Sequence, residues 1–260
     1  MTIDDPTLAA VHRLWDELGQ RPASDPENNL SALFSDVGDL IDSRHGCWLC
    51  AVRLSENDRD PLNGWRPASV VFHGELPNDQ AAYRKAVSGV ERGREQPDES
   101  TFAHVRQAGR FRASLLSDQV SEAFYQGRSY QLHYLGRGII DRLFVILPVN
   151  EDLESFFMFD RLRGQAPFRR SDLEIAAYAL RSLAWFNRQL HLGHGRLIAE
   201  EPLTPAERRV LKPLLGGGVE KAIADDLNQS PHTTHQHVKT IFRKFNVRSR
   251  AELMALWLGH

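Results

Sequence analysis

Three helix-start signals crowd the carboxy-terminal end of the chain, and a sequence punctuated in this way can form little except short helices joined by tight turns. Thr204 precedes Pro205 and stands three residues ahead of Glu207, the pattern of a capping residue, a first-turn proline and a closing carboxylate. Ser230 precedes Pro231 in the same way, and Ser249 is followed three residues later by Glu252. Gly216, Gly217 and Gly218 lead into a further helical stretch, "EKAIADDL". The spacing predicts a four-helix module over 203–260, its third helix being "SPHTTHQHVKTIFRKF".

At 100° per residue, Val238, Ile241, Phe242 and Phe245 of the third helix form one apolar stripe, with Thr234 at its edge. Gln236, Lys239, Thr240 and Arg243 fall on the far side, and His232 and Thr233 lie at the amino end. His235 lies between Lys239 and the stripe. Such a flank, free of carboxylates on its own helix, offers groups that bond both base edges and phosphates.

The charge distribution sharpens this. From Glu201 onward there are nine Lys and Arg against six Asp and Glu, although the whole chain carries a formal net charge of −2. Between Asn228 and Arg250 stand Lys239, Arg243, Lys244, Arg248 and Arg250 with no acidic residue. A local patch of one sign fits a polyanion, and equally a solvated helix face. The three histidines raise a metal reading. His232 and His235 are one turn apart, but His237 points away and no third ligand is suitably placed, so no metal is expected.

At these residues the chain resembles the LuxR-type (GerE-like) helix-turn-helix family of bacterial transcription regulators. The likeness runs from Leu203 to Leu258 and rests on "LTPAERRVL", on Gly217 with Lys221-Ala-Ile-Ala, and on the run from Ser230 and Thr233 through His237-Val238, Ile241-Phe242, Lys244-Phe245 and Val247 to Ser249-Arg250. The resemblance implies that the third helix lies in the major groove of double-stranded DNA, and that the fourth pairs two subunits. It further implies that His235, Gln236 and Lys239 face base edges, while Thr233, His237, Thr240, Arg243 and Lys244 hold phosphates or the helix start. The chain departs from the family where Thr234 replaces a branched apolar residue and His235 a common lysine. Val219 stands where a capping serine is usual, leaving a glycine to serve as the cap, and Pro213 predicts a kink or early stop in the first helix.

The fourth helix carries apolar residues on more than one stripe. One side closes the core, and Leu253, Met254 and Trp257 are assigned to a homodimer interface matching palindromic half-sites.

The preceding region reads as an α+β domain. Helical patterns at Thr7–Leu18 and Leu30–Ile41 precede the apolar strands "CWLCAVRL", "ASVVFHG", "RLFVILPV" and "SFFMFDR". A long amphipathic helix follows from Phe168 to Leu190, with Ser171 as cap and Glu174 three residues on. The tail "QAPFRRSDLEIAAYALRSLAWF" resembles the end of a GAF domain, a relative of PAS sensor folds. That resemblance implies a domain, 1–192, that holds a small-molecule effector against its sheet or dimerises and passes a signal along its last helix. "QLHLGHGRLIAEEP", with Gly193, Gly195 and Pro202, is read as a joint, 193–202.

Trp48, Trp65, Tyr130, His133 and Phe157 are the aromatic residues placed near strands as pocket candidates, though core packing is the better explanation for most of them. Cys47 and Cys50, three apart on a strand, point to opposite faces and are expected to be buried structural thiols. No nucleophile elbow, P-loop, dinucleotide fingerprint or zinc hydrolase motif is present, so no enzyme and no cofactor are expected. The acidic start "MTIDDPTLAA", the two cysteines and the lack of a long apolar run predict a cytoplasmic protein that does not enter the membrane. The sequence thus predicts a regulator with an amino-terminal sensory domain and a DNA-binding helical end. The rivals are a helical protein-interaction module and an enzyme housed in the larger domain.

Overall fold

The computed structural model describes residues 3–54, 56, 59–74, 81, 97–197, 199 and 201–258. The chain divides into two compact units, Met1–Asp16 with Ser31–Ala184, and Glu17–Leu30 with Trp185–His260. Of the anticipated joint 193–202, Ile198 and Glu200 lie outside the described residues.

Among the described residues the first unit is built on five antiparallel strands, β1 (His45–Arg53), β2 (Trp65–His73), β3 (Arg112–Leu115), β4 (Ile139–Asn150) and β5 (Leu153–Leu162), in the order β2-β1-β5-β4-β3. The four strand stretches expected from sequence fall within or across β1, β2, β4 and β5. β3 was not anticipated, because four residues, "RASL", are too few to display a two-residue period.

One sheet face is covered by α1 (Asp5–Gln20), α2 (Pro26–Leu40) and α5 (Arg170–Arg181). Leu33, Phe34, Val37 and Ile41 recur at helical spacing and are buried, and the Phe34 ring lies 5.0 Å from Phe159 and 6.1 Å from Phe157. Trp15 Nε1 donates to the carbonyl of Ala179 at 2.8 Å and ties α1 to α5. Cys47, Leu49, Phe144, Phe156 and Met158 line the opposite face, where α3 (Glu99–Arg106) and α4 (Arg128–His133) also contribute. The two-residue alternation therefore separates Cys47 from Cys50, and both are buried thiols outside any disulfide.

The long helix expected from Phe168 to Leu190 is two helices. α5 ends at Ser182, where Leu183 donates back to Leu180 at 3.1 Å, and α6 (Ala184–Gly193) begins anew. Leu180, Leu183 and Phe186 are all buried, so burial on both sides of the break favours two segments over one straight stripe. The cap also differs. Arg169 occupies the cap position and its N–H donates to Asp172 Oδ2 at 2.8 Å, an oxygen that also lies 3.4 Å from Arg161.

The second unit contains α6, α7 (Pro205–Leu215), α8 (Glu220–Asp226), α9 (Pro231–Lys244) and α10 (Arg250–Leu258) around a core of Val210, Leu214, Ile223, Val238, Ile241 and Leu253. In α7 the full capping box is present: Thr204 N donates to Glu207 Oε2 at 2.8 Å and Glu207 N to Thr204 Oγ1 at 3.2 Å. The helix does not stop at Pro213 but continues to Leu215, since Leu214 and Leu215 are both buried and the Pro213 carbonyl still accepts from Gly218 N at 2.9 Å. Val219 itself, not a glycine, caps α8 and does so without a side-chain bond. Asn228 and Asn246, both at φ +51°, supply the left-handed residues on which the turns into and out of α9 pivot.

Candidate nucleic-acid interface and a cavity on the sheet

α9 is positioned by its cap and by its buried side. Ser230 Oγ accepts from Thr233 N at 3.0 Å, while Val238, Ile241 and Phe245 are buried. Thr234 is fully buried although polar, and the site tolerates it because its hydroxyl accepts from Gln229 Nε2 at 2.7 Å. With that face fixed, His232, Thr233, Gln236, Lys239 and Arg243 are exposed, and His235, His237 and Thr240 are half-buried. The hydroxyl of Thr240 donates to the carbonyl of Gln236 at 2.9 Å, and Thr233 shares its hydroxyl with Ser230 at 2.8 Å.

Two residues assigned to DNA are placed otherwise. Lys244 is buried: its Nζ donates to Glu207 Oε2 and to the carbonyl of Pro202, both at 2.8 Å. Burial alone would raise the Glu207 carboxyl, but the hydrogen bond from Lys244 and that from Thr204 outweigh it and hold the group below its ordinary range. Lys244 thus locks the start of α7 to the end of α9 instead of reaching a phosphate. His235 Nδ1 lies 2.9 Å from Glu220 Oε2, so the ring is tied to α8. Helical-wheel reasoning along one segment could find neither partner, because both come from other helices.

The assignment of α10 is also corrected in part. Leu253 and Trp257 are buried within their own unit, with Trp257 5.6 Å from Phe245, so neither offers a free apolar surface. Met254, 40% exposed, and Leu258, 75% exposed, are large apolar residues that this helix turns outward.

In the sheet unit a cavity of about 300 Å³ opens between β1, β2, β4 and β5 on one side and α3 and α4 on the other. Of the pocket candidates Trp65 and His133 line it. Trp48 and Phe157 lie on the opposite sheet face, where Trp48 Nε1 donates to Ser155 Oγ at 3.0 Å and Phe157 faces Phe34. Tyr130 packs among Phe124, Tyr125 and Tyr134 beside the cavity, its hydroxyl donating to the carbonyl of Ile140 at 2.8 Å.

The charged residues of the cavity, and His104, were not foreseen. Arg112 meets Glu154 with two bonds of 2.9 and 2.8 Å, and Arg142 meets Asp160 at 2.6 and 3.0 Å. Asp160 also lies 2.9 Å from His45 Nδ1. Burial would raise Asp160, yet the charge of Arg142 and the bond from His45 overcome it and bring the carboxyl to about 2. His104 of α3 is 4% exposed, with its ring 4.6 Å from Phe144 and 5.6 Å from Phe156. Burial first, and the charge of Arg112 second, lower it to about 3, so the imidazole is neutral near neutral pH. The sequence did hold one signal: Glu154, Phe156, Met158 and Asp160 share one face of β5, which sets charges on a face otherwise apolar. His104, on a short helix, gave none.

Among the described residues no group of three His, Cys, Asp or Glu side chains could hold a metal ion, and no helix is long and apolar enough to cross a membrane.

Residues 201–257 match the family of bacterial regulatory proteins of the luxR family, GerE. The carboxy-terminal unit therefore carries a LuxR-family helix-turn-helix domain, which marks the chain for DNA-binding transcription regulation. No curated protein matches by sequence. Among solved structures, the chain is similar to SdiA in complex with octanoyl-rac-glycerol at 14% identity and TM-score 0.42, covering 100% of this chain and 96% of that one. Similarity to Escherichia coli SdiA is 13% with TM-score 0.40, covering 97% and 96%, and to the VqsR LBD domain from Pseudomonas aeruginosa 13% with TM-score 0.44, covering 72% and 98%.

Proposed function

We propose that the chain is a sequence-specific, homodimeric transcription regulator of the cytoplasm that inserts α9 into the major groove of double-stranded DNA, under the control of a small molecule held on its GAF/PAS-like sheet unit. The observation that carries this is the outward flank of α9, where Gln236, Lys239 and Arg243 are exposed while the opposite side is buried. Gln236 and Lys239 are assigned to base edges, with the amide able to pair bidentately and the ammonium to reach guanine acceptors. Thr233 and Arg243 are assigned to phosphates, His237 and Thr240 to the groove wall, and His235 to a supporting role set by Glu220. Lys244 is left out of the set.

Two copies joined through Met254 and Leu258 would present two α9 helices to half-sites about one helical turn apart. For the sheet unit, the support is the cavity of about 300 Å³, in which apolar walls surround a few buried polar groups. An effector acts only if it binds one dimer arrangement better than another. A gel shift on genomic fragments at two salt concentrations tests the DNA assignment: affinity that falls steeply with salt supports it, and a slope near zero or no binding overturns it in favour of a protein-interaction module.

A further inference from the structure

We propose that His235 reads a base as well as supporting its helix: Glu220 fixes the ring proton on Nδ1, which makes Nε2 an acceptor, and this acceptor selects a base that shows an exocyclic amino group in the major groove, adenine or cytosine. The inference rests on the reading of α9 as the helix that enters the groove and names what one of its residues recognises there.

His235 Nδ1 lies 2.9 Å from Glu220 Oε2. An ionised carboxylate only accepts, so the hydrogen of this bond belongs to Nδ1. In a neutral imidazole the other nitrogen then keeps its lone pair. The His235 side chain is 45% exposed, and Nε2 has no hydrogen-bond partner among the described residues. Glu220 favours a second proton on the ring, whereas Lys239, four residues on along the same helix, opposes the charge it would bring.

Thr234 before His235 is fully buried and Gln236 after it is exposed, so the ring stands at the border of the outward flank. Gln236 offers a donor and an acceptor and Lys239 only donors, which leaves neutral His235 as the one of the three restricted to accepting through its open atom. Every base pair shows an amino group in the major groove, on adenine N6 or cytosine N4, while guanine O6 and thymine O4 accept. Nε2 set against either oxygen would face lone pair with lone pair, and neither group would be bonded. A lysine in the same place would have the opposite preference.

The test uses the full chain at about pH 8.5, above the ordinary range of histidine. Selection from a randomised duplex library is run on the unaltered chain and on His235→Ala, and the base pair whose preference His235→Ala loses is the one His235 reads. In duplexes of the selected site, that pair then loses its amino group (purine for adenine, pyrimidin-2-one for cytosine) or its keto oxygen (5-methylpyrimidin-2-one for thymine, 2-aminopurine for guanine), and affinity is followed by fluorescence anisotropy. Loss of the amino group is expected to weaken the unaltered chain about fivefold or more beyond its effect on His235→Ala, and loss of the oxygen to affect the two alike. Glu220→Leu, which frees the tautomer, should lose most of that sensitivity, and Glu220→Gln, whose amide oxygen still accepts from Nδ1, should keep it. His235→Lys should transfer it to the keto oxygen. The inference is overturned by sensitivity of the unaltered chain to the oxygen, by a His235→Ala that changes no position, or by a Glu220→Leu that keeps the amino sensitivity in full. Each of these leaves α9 assigned to DNA, whereas no enrichment by the unaltered chain overturns both. Should His235→Ala not fold, amino deletions scanned along the site with the unaltered chain and Glu220→Leu still decide.

Discussion

His235 Nδ1 lies 2.9 Å from Glu220 Oε2, so the first turn of α8 sets a carboxylate against the flank of α9. That contact fixes the ring and leaves one ring nitrogen for any other partner. It also places a negative charge where the proposed duplex would lie. Glu220→Gln should therefore tighten binding to specific and non-specific fragments alike, by about threefold at low salt, as read by fluorescence anisotropy. An unchanged affinity for both would mean that the bound duplex does not approach α8.

Lys244 and Glu207 form a buried pair that also completes the cap of α7. Lys244→Met should strand the carboxylate and cost roughly 3 kcal/mol in urea unfolding of the carboxy-terminal unit. Adding Glu207→Gln should restore part of the loss. If Lys244→Met instead leaves stability intact and weakens DNA binding evenly, the residue belongs with the phosphate contacts after all.

The two sides of α10 should separate on mutation. Trp257→Ala should lose about 3 kcal/mol or more through the cavity it leaves beside Phe245. Met254→Glu with Leu258→Glu should barely change the melting temperature of a single subunit and should shift sedimentation toward the monomer. A paired species unaffected by both charges would place the dimer contact elsewhere.

Much of the carboxy-terminal unit was legible because its signals are local. Thr204, Ser230 and Ser249 act within a turn of themselves, and the apolar stripe of α9 is set by a period that sequence displays directly. What sequence could not supply was the partner brought in from another helix, and so Lys244 and His235 were both assigned to DNA. The same limit explains the sheet unit. The long strands announced themselves, whereas Trp48 and Phe157 fell on the packed face and Trp65 on the cavity face according to a register that pairs Trp48 with Val71 and Phe157. The break between α5 and α6 was hidden because the residues on either side of it are equally apolar.

Stability should begin to fall with acid as soon as histidines titrate. Burial, followed by neighbouring arginines, lowers His104, His191 and His194 to about 3. Their folded values lie below the unfolded value of about 6.5, so the stability they lend is complete above that pH and is lost as pH falls from about 6.5 toward 3. Each adds a slope of about 1.4 kcal/mol per pH unit in that window. Asp141, raised by burial, opposes them with a single proton, while Asp160 and Glu207, both lowered, join them only at lower pH. Urea unfolding at about pH 7 and pH 5 should show the drop. Two of these histidines lie in the second unit, which should lose hydrogen-exchange protection faster than the sheet. A flat profile would mean that these rings are hydrated.

The most direct measurement is the sequencing of genomic fragments retained by the purified full chain and by its Gln236→Ala, Lys239→Ala and Arg243→Ala variants across a range of salt. The unaltered chain should enrich a shared, two-fold symmetric site. Gln236→Ala and Lys239→Ala should lose preference at particular base pairs by about 1–3 kcal/mol each. Arg243→Ala should keep the site, bind all fragments more weakly and shrink the salt slope by about one. No enrichment by the unaltered chain, or enrichment that both Gln236→Ala and Lys239→Ala leave untouched, would contradict the assignment of α9 to DNA.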